Sequence, residues 1–325
     1  LLNGSHSVVA GRLAGAFRAL GRTEQANTIV STMKSADYVV IETSPFDVVP
    51  PALPGGRPES PYAQRLRFMW EQMREVVIEH LPAPSALPTD IGAALKEVED
   101  RYVSDAYHSL SIEGYRVTPE LIERVRSGTW DPDGPDKGAR DTMAAKGYFE
   151  THTEVATFIK RELNNPHPTY AVRDALSSWH RALFSPSVQA GLLKPGDLAG
   201  WRNDQVYIRG AIHVPLSKEA VRECMPVLFE LISAEQHPGV RAVLGHFFFV
   251  YIHPYMDGNG RLGRFLTNAM LVTGGYVWTV VPVEQRKPYM DALEQASTGH
   301  NIAGFSAFLG QLIREQTAAP LKRPA

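Results

Sequence analysis

His253-Pro254-Tyr255-Met256-Asp257-Gly258-Asn259-Gly260-Arg261-Leu262-Gly263-Arg264 sets the reading of everything around it. An apolar run from Val243 to Ile252 precedes it, and a helical-looking segment, Arg261 to Thr273, follows. The order is therefore buried helix, short loop, new helix. Gly258, Asn259 and Gly260 are small or turn-tolerant, so the backbone can come close to a ligand. Their N–H groups stand at the start of the next helix, where unpaired donors and the helix dipole favour an anion. Arg261 and Arg264 are three apart and share one face of the first turn. Cations there oppose the dipole unless something negative binds.

Two further side chains complete the chemistry. Asp257 offers hard oxygens suited to magnesium, which takes one or two protein carboxylates and fills its shell with phosphate and water. His253 is the side chain here whose ordinary pKa suits taking a proton near neutral pH. Base, metal ligand, anion loop and two cations together describe phosphoryl or nucleotidyl transfer. Any one of these residues alone is explained as well by a plain turn between helices with solvated arginines. Their joint spacing is what argues against that.

The stretch resembles the signature of the Fic family, His-Pro-Phe-x-Asp/Glu-Gly-Asn-Gly-Arg-x-x-Arg, with Tyr255 in place of Phe. Upstream, Ser109-Leu110-Ser111-Ile112-Glu113-Gly114 resembles the family's inhibitory motif, Ser/Thr-x-x-x-Glu-Gly/Asn. Glu113 followed by Gly114 is also an ordinary helix C-cap pattern. Its position before the signature matches the class whose inhibitory helix precedes the catalytic core. The resemblance implies that Ser109, Glu113 and Gly114 form a brake, with Glu113 paired to Arg264. A carboxylate there would occupy the guanidinium meant for a nucleotide's γ-phosphate.

Val206-Tyr207-Ile208 and Ala211 to Val214 flank Arg209-Gly210, which reads as a β-hairpin and resembles the Fic flap. The resemblance implies a protein adenylyltransferase that moves AMP from ATP, with Mg2+, to a Ser, Thr or Tyr hydroxyl of a target protein. His253 would be the base and Asp257 the metal ligand. Gly258, Asn259, Gly260, Arg261 and Arg264 would hold the phosphates, Tyr289 would touch the nucleobase, and Val206, Tyr207 and Ile208 would dock the target. Removal of AMP by the same site, self-modification and a homodimer are compatible with it. The alternatives are kinase or phosphocholine transfer on the same fold, or a non-enzymatic nucleotide-sensing regulator with a DNA- or partner-binding N-terminal unit. The intact Gly258-Asn259-Gly260 favours AMP transfer over the kinase-like relatives.

The chain has 325 residues, 44% hydrophobic and 21% charged, with a formal net charge of −2. That is ordinary for a globular protein and gives no electrostatic reason to expect nucleic acid or an acidic membrane as partner. A single cysteine, Cys224, forbids an intrachain disulfide and suits a cytoplasmic setting. The expected fold is mostly α: a Fic-fold helical bundle with a small β-hairpin flap and a small N-terminal α(+β) extension. The extension covers 1–60, with Leu13, Phe17 and Leu20 as a helical stripe, Tyr38 to Ile41 as a short strand and a Pro/Gly-rich linker at 45–61. A connecting helix and linker follow at 62–88. The Fic domain spans 89–317, with the inhibitory helix at about 91–114 and the flap at about 202–215. Residues 318–325 are a tail.

Overall fold

The computed structural model describes residues 6–42, 60–130 and 140–319. The expected linker lies outside the described residues up to residue 59, as does most of the tail. The chain divides into two compact units, Leu1–Glu59 and Ser60–Ala325. Twelve α-helices and no strand occur among the described residues.

The first unit pairs α1 (His6–Ala19) with α2 (Thr23–Ser35). Its contact face is not the expected stripe. Leu13 and Leu20 are exposed, while Ala10, Ala14 and Ala26 are buried. Small residues let the two backbones approach, so the larger side chains point outward. Tyr38 to Ile41 is not a strand either. Val39 and Ile41 are exposed, and no second strand exists among the described residues to pair with them. The extension is held by Arg18, whose guanidinium donates to Glu42 at 2.6 Å and to Asn27 at 2.9 Å.

The second unit is built from α3 (Pro61–His80), α4 (Ile91–Ile112), α5 (Pro119–Arg126), α6 (Arg140–Asn164) and α7 (Val172–Gln189). After these come α8 (Lys218–Ala234), α9 (Pro238–Ile252), α10 (Asn259–Val272), α11 (Arg286–Gly299) and α12 (Ala303–Ala318). Local chemistry fixes several starts. Ser60, Asp90, Thr118 and Ser217 each accept a hydrogen bond from the backbone N–H three residues on. Ser217 fixes the start of α8 at Lys218. Helix α7 continues through Pro186 to Gln189.

Helix α9 is buried almost all round, with Phe247, Phe248 and Phe249 fully enclosed. Such a helix belongs at the centre of a bundle. It packs against α3, α8, α10 and α11, while α10 also touches α4, α6 and α7. The loop between α9 and α10 is therefore gripped from both sides, and its shape is set by the whole bundle.

The expected hairpin at 206–214 is a correction. Ala211 N–H donates to the Ile208 carbonyl at 3.1 Å and closes a turn, but no ladder forms. The reason is competition for donors. The N–H groups of Ile212 and His213 both donate to Glu294 Oε1, at 3.0 and 2.9 Å. Gln205 then joins the two feet of the loop by donating to the Pro215 carbonyl at 2.9 Å.

Candidate active site

His253 ends α9 in the left-handed conformation, φ 56° and ψ 62°. A non-glycine residue there costs roughly 1–2 kcal/mol, so the surroundings must hold it. Its N–H donates to the Phe249 carbonyl at 3.0 Å. Its Nδ1 lies 3.1 Å from the Val250 carbonyl. A carbonyl only accepts, so Nδ1 carries the proton and Nε2 is left as the acceptor. Burial pushes the imidazole pKa below its ordinary value, with the Val250 bond opposing and Arg202 reinforcing the shift. The neutral form, the one able to take a proton, is therefore favoured.

Arg202 is a residue that sequence reading missed. It is 3% exposed. Its Nε donates to the His253 carbonyl at 2.8 Å and its backbone N–H to the Pro254 carbonyl at 2.9 Å. The same guanidinium reaches the Asp204 carbonyl at 2.8 Å and the Leu216 carbonyl. One side chain thus ties the histidine's backbone to both feet of the 205–215 loop. A lone arginine in irregular chain carries no spacing signal.

The rest of the loop is shaped by its own residues. Tyr255 stacks on His180 with ring centres 3.9 Å apart and planes 6° from parallel. Ser177 is the polar neighbour of its hydroxyl. Asn259 accepts from Tyr255 N–H at 2.9 Å and donates to the Tyr255 carbonyl at 2.8 Å. Its side-chain amide thus closes the loop. Gly258 caps α10 at φ 88°, and a Cβ there would sit 2.8 Å from the Phe184 ring.

Arg264 is buried and engaged through Nε and Nη2. Its Nε donates to Ser109 Oγ at 2.8 Å, and its Nη2 to the Ser109 carbonyl at 3.1 Å and Glu113 Oε1 at 2.7 Å. Burial opposes its charge, but Glu113 together with Tyr289 and Tyr148 outweighs that and raises its pKa. Glu113 caps α4, and Gly114 follows at φ 84°. A Cβ added to Gly260 would overlap Glu113 Oε1, so the carboxylate lies directly over the start of α10. Glu113, His253, Gly260 and Arg264 line one cavity of about 130 Å³. Residues 170–271 match the model of the Fic/DOC family.

The chain carries a Fic domain.

Beyond that segment, the chain is 27% identical over 231 residues to the protein adenylyltransferase Fic of Drosophila yakuba, covering 70% of this chain and 43% of that one. With the protein of the same name from Aedes aegypti it shares 27% over 232 residues, covering 68% of this chain and 42% of the relative. It thus spans less than half the length of these curated relatives. Two solved structures share the fold. A Fic domain containing signaling protein from Bacteroides thetaiotaomicron gives a TM-score of 0.55 at 18% identity, covering 80% of this chain and 96% of that one. Fic-1 from C. elegans gives 0.55 at 19% identity, covering 94% and 77%.

On the other arginine of the Fic domain the picture differs. Arg261 is 1% exposed, yet its nearest carboxylate is Asp257 Oδ1 at 3.4 Å. Its guanidinium carbon lies 5.0 Å from the Tyr115 ring centre and 5.1 Å from that of Phe184. Asp257 Oδ1 also accepts from Gly258 N–H at 2.6 Å, which leaves Oδ2 without a hydrogen bond among the described residues. No group of three or more His, Cys, Asp or Glu able to hold a metal occurs among the described residues. A single, half-exposed carboxylate beside an anion-binding helix start does not suit zinc but fits magnesium shared with phosphates.

Tyr289 lines the same cavity as His253, with most of its side chain enclosed in the core. It is 2% exposed, packs against Phe305 and Phe308, and its hydroxyl lies 2.8 Å from His246 Nε2. The His246 Nδ1 in turn lies 2.7 Å from Thr267 Oγ1. Burial pushes His246 down to about 3, so it is a neutral core histidine. Ile208, Met290 and Leu293 complete the apolar wall of that cavity. Tyr207 of the expected docking segment is 76% exposed and available to a partner.

Proposed function

We propose that this chain transfers AMP from ATP to a hydroxyl side chain of a protein and that Glu113 holds it inactive. The supporting observation is the shared cavity of His253, Gly260 and Arg264, with the Glu113 carboxylate inside it. His253 Nε2 takes the proton of the target hydroxyl as its oxygen attacks the α-phosphorus. The bond from that phosphorus to the bridging oxygen breaks, and pyrophosphate leaves. The N–H groups at the start of α10 and the two arginines stabilise the charge that develops on the phosphates. Magnesium held by Asp257 would neutralise phosphate charge. While Glu113 occupies Arg264, the γ-phosphate has no guanidinium to meet, and the nucleotide is held unproductively or not at all.

The test uses Glu113→Gly with α-labelled and γ-labelled ATP. Protein labelling from the α position alone supports AMP transfer. Labelling from the γ position replaces it with a kinase, and no labelling from either rejects transfer. A second reading concerns the same carboxylate. The Glu113 side chain is 32% exposed and borders the cavity that holds His253, so it can also orient a water for removing AMP from a modified protein. Release of AMP that persists in Glu113→Gly would exclude this.

A further inference from the structure

We infer that a small-molecule site, separate from the His253 cavity and suited to a hydroxylated aromatic acid, lies where α4, α5 and α6 meet. A cavity of about 540 Å³ opens there, within the roughly 300–1,000 Å³ of typical ligand pockets. Its border takes Tyr102 from α4, Arg126 from α5, and Phe149 and His152 from α6. It shares no lining residue with the cavity of His253 and Glu113.

The case rests first on two polar side chains at the floor of this cavity. Tyr102 is 1% exposed and His152 is 5% exposed, and both border the space. The Tyr102 hydroxyl and His152 Nε2 have no hydrogen-bond partner among the described residues. Buried polar atoms left in that state are costly and uncommon. Burial pushes the tyrosine hydroxyl well up, so it keeps its proton. Burial also pushes the imidazole down to about 4, with the Val98 backbone opposing, so it stays neutral. Neither atom needs a charged partner. A hydroxyl group suits both, since it donates and accepts.

The walls define the rest of the ligand. Tyr102 meets Phe149 and His152 edge-on, with ring centres 5.4 and 5.0 Å away. Leu95 and Ala156 extend this apolar lining. Water alone would satisfy the two polar atoms but leave these faces wet, whereas an aromatic ring covers them. The threonines of the border are already used. Thr153 donates to the Phe149 carbonyl at 3.1 Å, and Thr157 to the Thr153 carbonyl at 3.0 Å. Around the space Lys96, Arg126 and Lys160 stand against the single carboxylate of Glu99. Arg126 is paired with Glu123, and the two lysines are exposed at the rim. A carboxylate at the outer end of the ligand meets that positive rim while its ring hydroxyl reaches the floor.

Calorimetric titration of the unaltered chain with 4-hydroxyphenylacetate and with phenylacetate tests this. The hydroxylated acid is expected to bind about tenfold more tightly, because only it supplies a partner at the floor. Tyr102→Phe removes one unpaired hydroxyl, so it should leave the thermal midpoint level or higher and shrink that preference. Ala156→Phe fills the cavity and should abolish binding of both acids. The exposed pair Lys96→Glu and Lys160→Glu asks the same question without touching the core, and binding should weaken several-fold at an unchanged midpoint. No binding of either acid to the unaltered chain, equal affinity for the two, or binding unaffected by Ala156→Phe overturns the site. Competition by a non-hydrolysable ATP analogue would place the acid in the His253 cavity and overturn it too.

Discussion

Arg261 and Arg264 stand one turn apart on α10, and both are buried. Arg264 meets the Ser109 hydroxyl, the Ser109 carbonyl and the Glu113 carboxylate, all within 3.1 Å. Arg261 meets two aromatic rings and one carboxylate at 3.4 Å. Equal charge and equal burial have thus been resolved in opposite ways. The chain supplies its own anion to one guanidinium and leaves the other short of one. An arginine that already has its anion is locked, whereas one that lacks it is poised to bind. The helix start carries both states at once, and α4 with its following residues decides which is which.

The largest break in this contrast comes upstream of both arginines. In a Glu113→Gly background, His253→Ala should lower AMP incorporation from α-labelled ATP by roughly 10²–10⁴-fold, the usual contribution of general base catalysis. If the rate survives, the two guanidiniums serve some chemistry that needs no base. Next comes the brake itself. Glu113→Gly makes Arg264 resemble Arg261 by removing its anion. A charge-assisted hydrogen bond contributes roughly 1.5–3 kcal/mol, so self-labelling should rise about tenfold to a hundredfold over the parent. Equal or lower labelling would remove Glu113 as the brake.

Stability sharpens the contrast without any activity assay. Arg264→Met leaves the Ser109 carbonyl and the Glu113 carboxylate without their donor, and it should cost about 2 kcal/mol in urea unfolding. Arg261→Met removes a cation with little to lose, and it should cost less than about 0.5 kcal/mol or stabilise. Equal losses in the two variants would mean that Arg261 is as well satisfied as Arg264.

The two arginines also show what the sequence could carry. Their shared face, the loop before them and the helical character of the unit follow from contiguous residues, whose spacing is fixed by backbone geometry. The pairing of Arg264 with a glutamate 151 positions away is not contiguous, and only resemblance to a family pointed to it. Arg202 had no such pointer, since it acts through one side chain reaching between distant stretches of chain. Tyr289 both lines the cavity and packs in the core, and an aromatic near an arginine-rich helix start reads the same in either setting. The 206–214 segment has the alternation of a strand, but Glu294 takes the N–H groups that a ladder needs. Alternation records extended chain and not its partner. In the first unit the same limit appears, where alanines rather than leucines make the contact.

The smallest expected effect links the brake to the base. Burial lowers the His253 pKa, and the nearby Glu113 carboxylate pulls it back up. The neutral imidazole is the proton acceptor, so lowering the pKa keeps the base competent to lower pH. The titration midpoint should therefore lie below the ordinary 6.5 in the parent chain. Glu113→Gln keeps the size of the side chain and its contact with the cavity while removing the charge. The opposing pull then disappears, and the midpoint should move further down. Following the His253 ring resonances against pH in both chains would measure this directly. A midpoint that rises or stays fixed would mean that Arg264 screens the carboxylate completely, and that lock and base are electrostatically independent. A downward move would mean that releasing the lock also extends the range of pH over which His253 is ready to accept a proton.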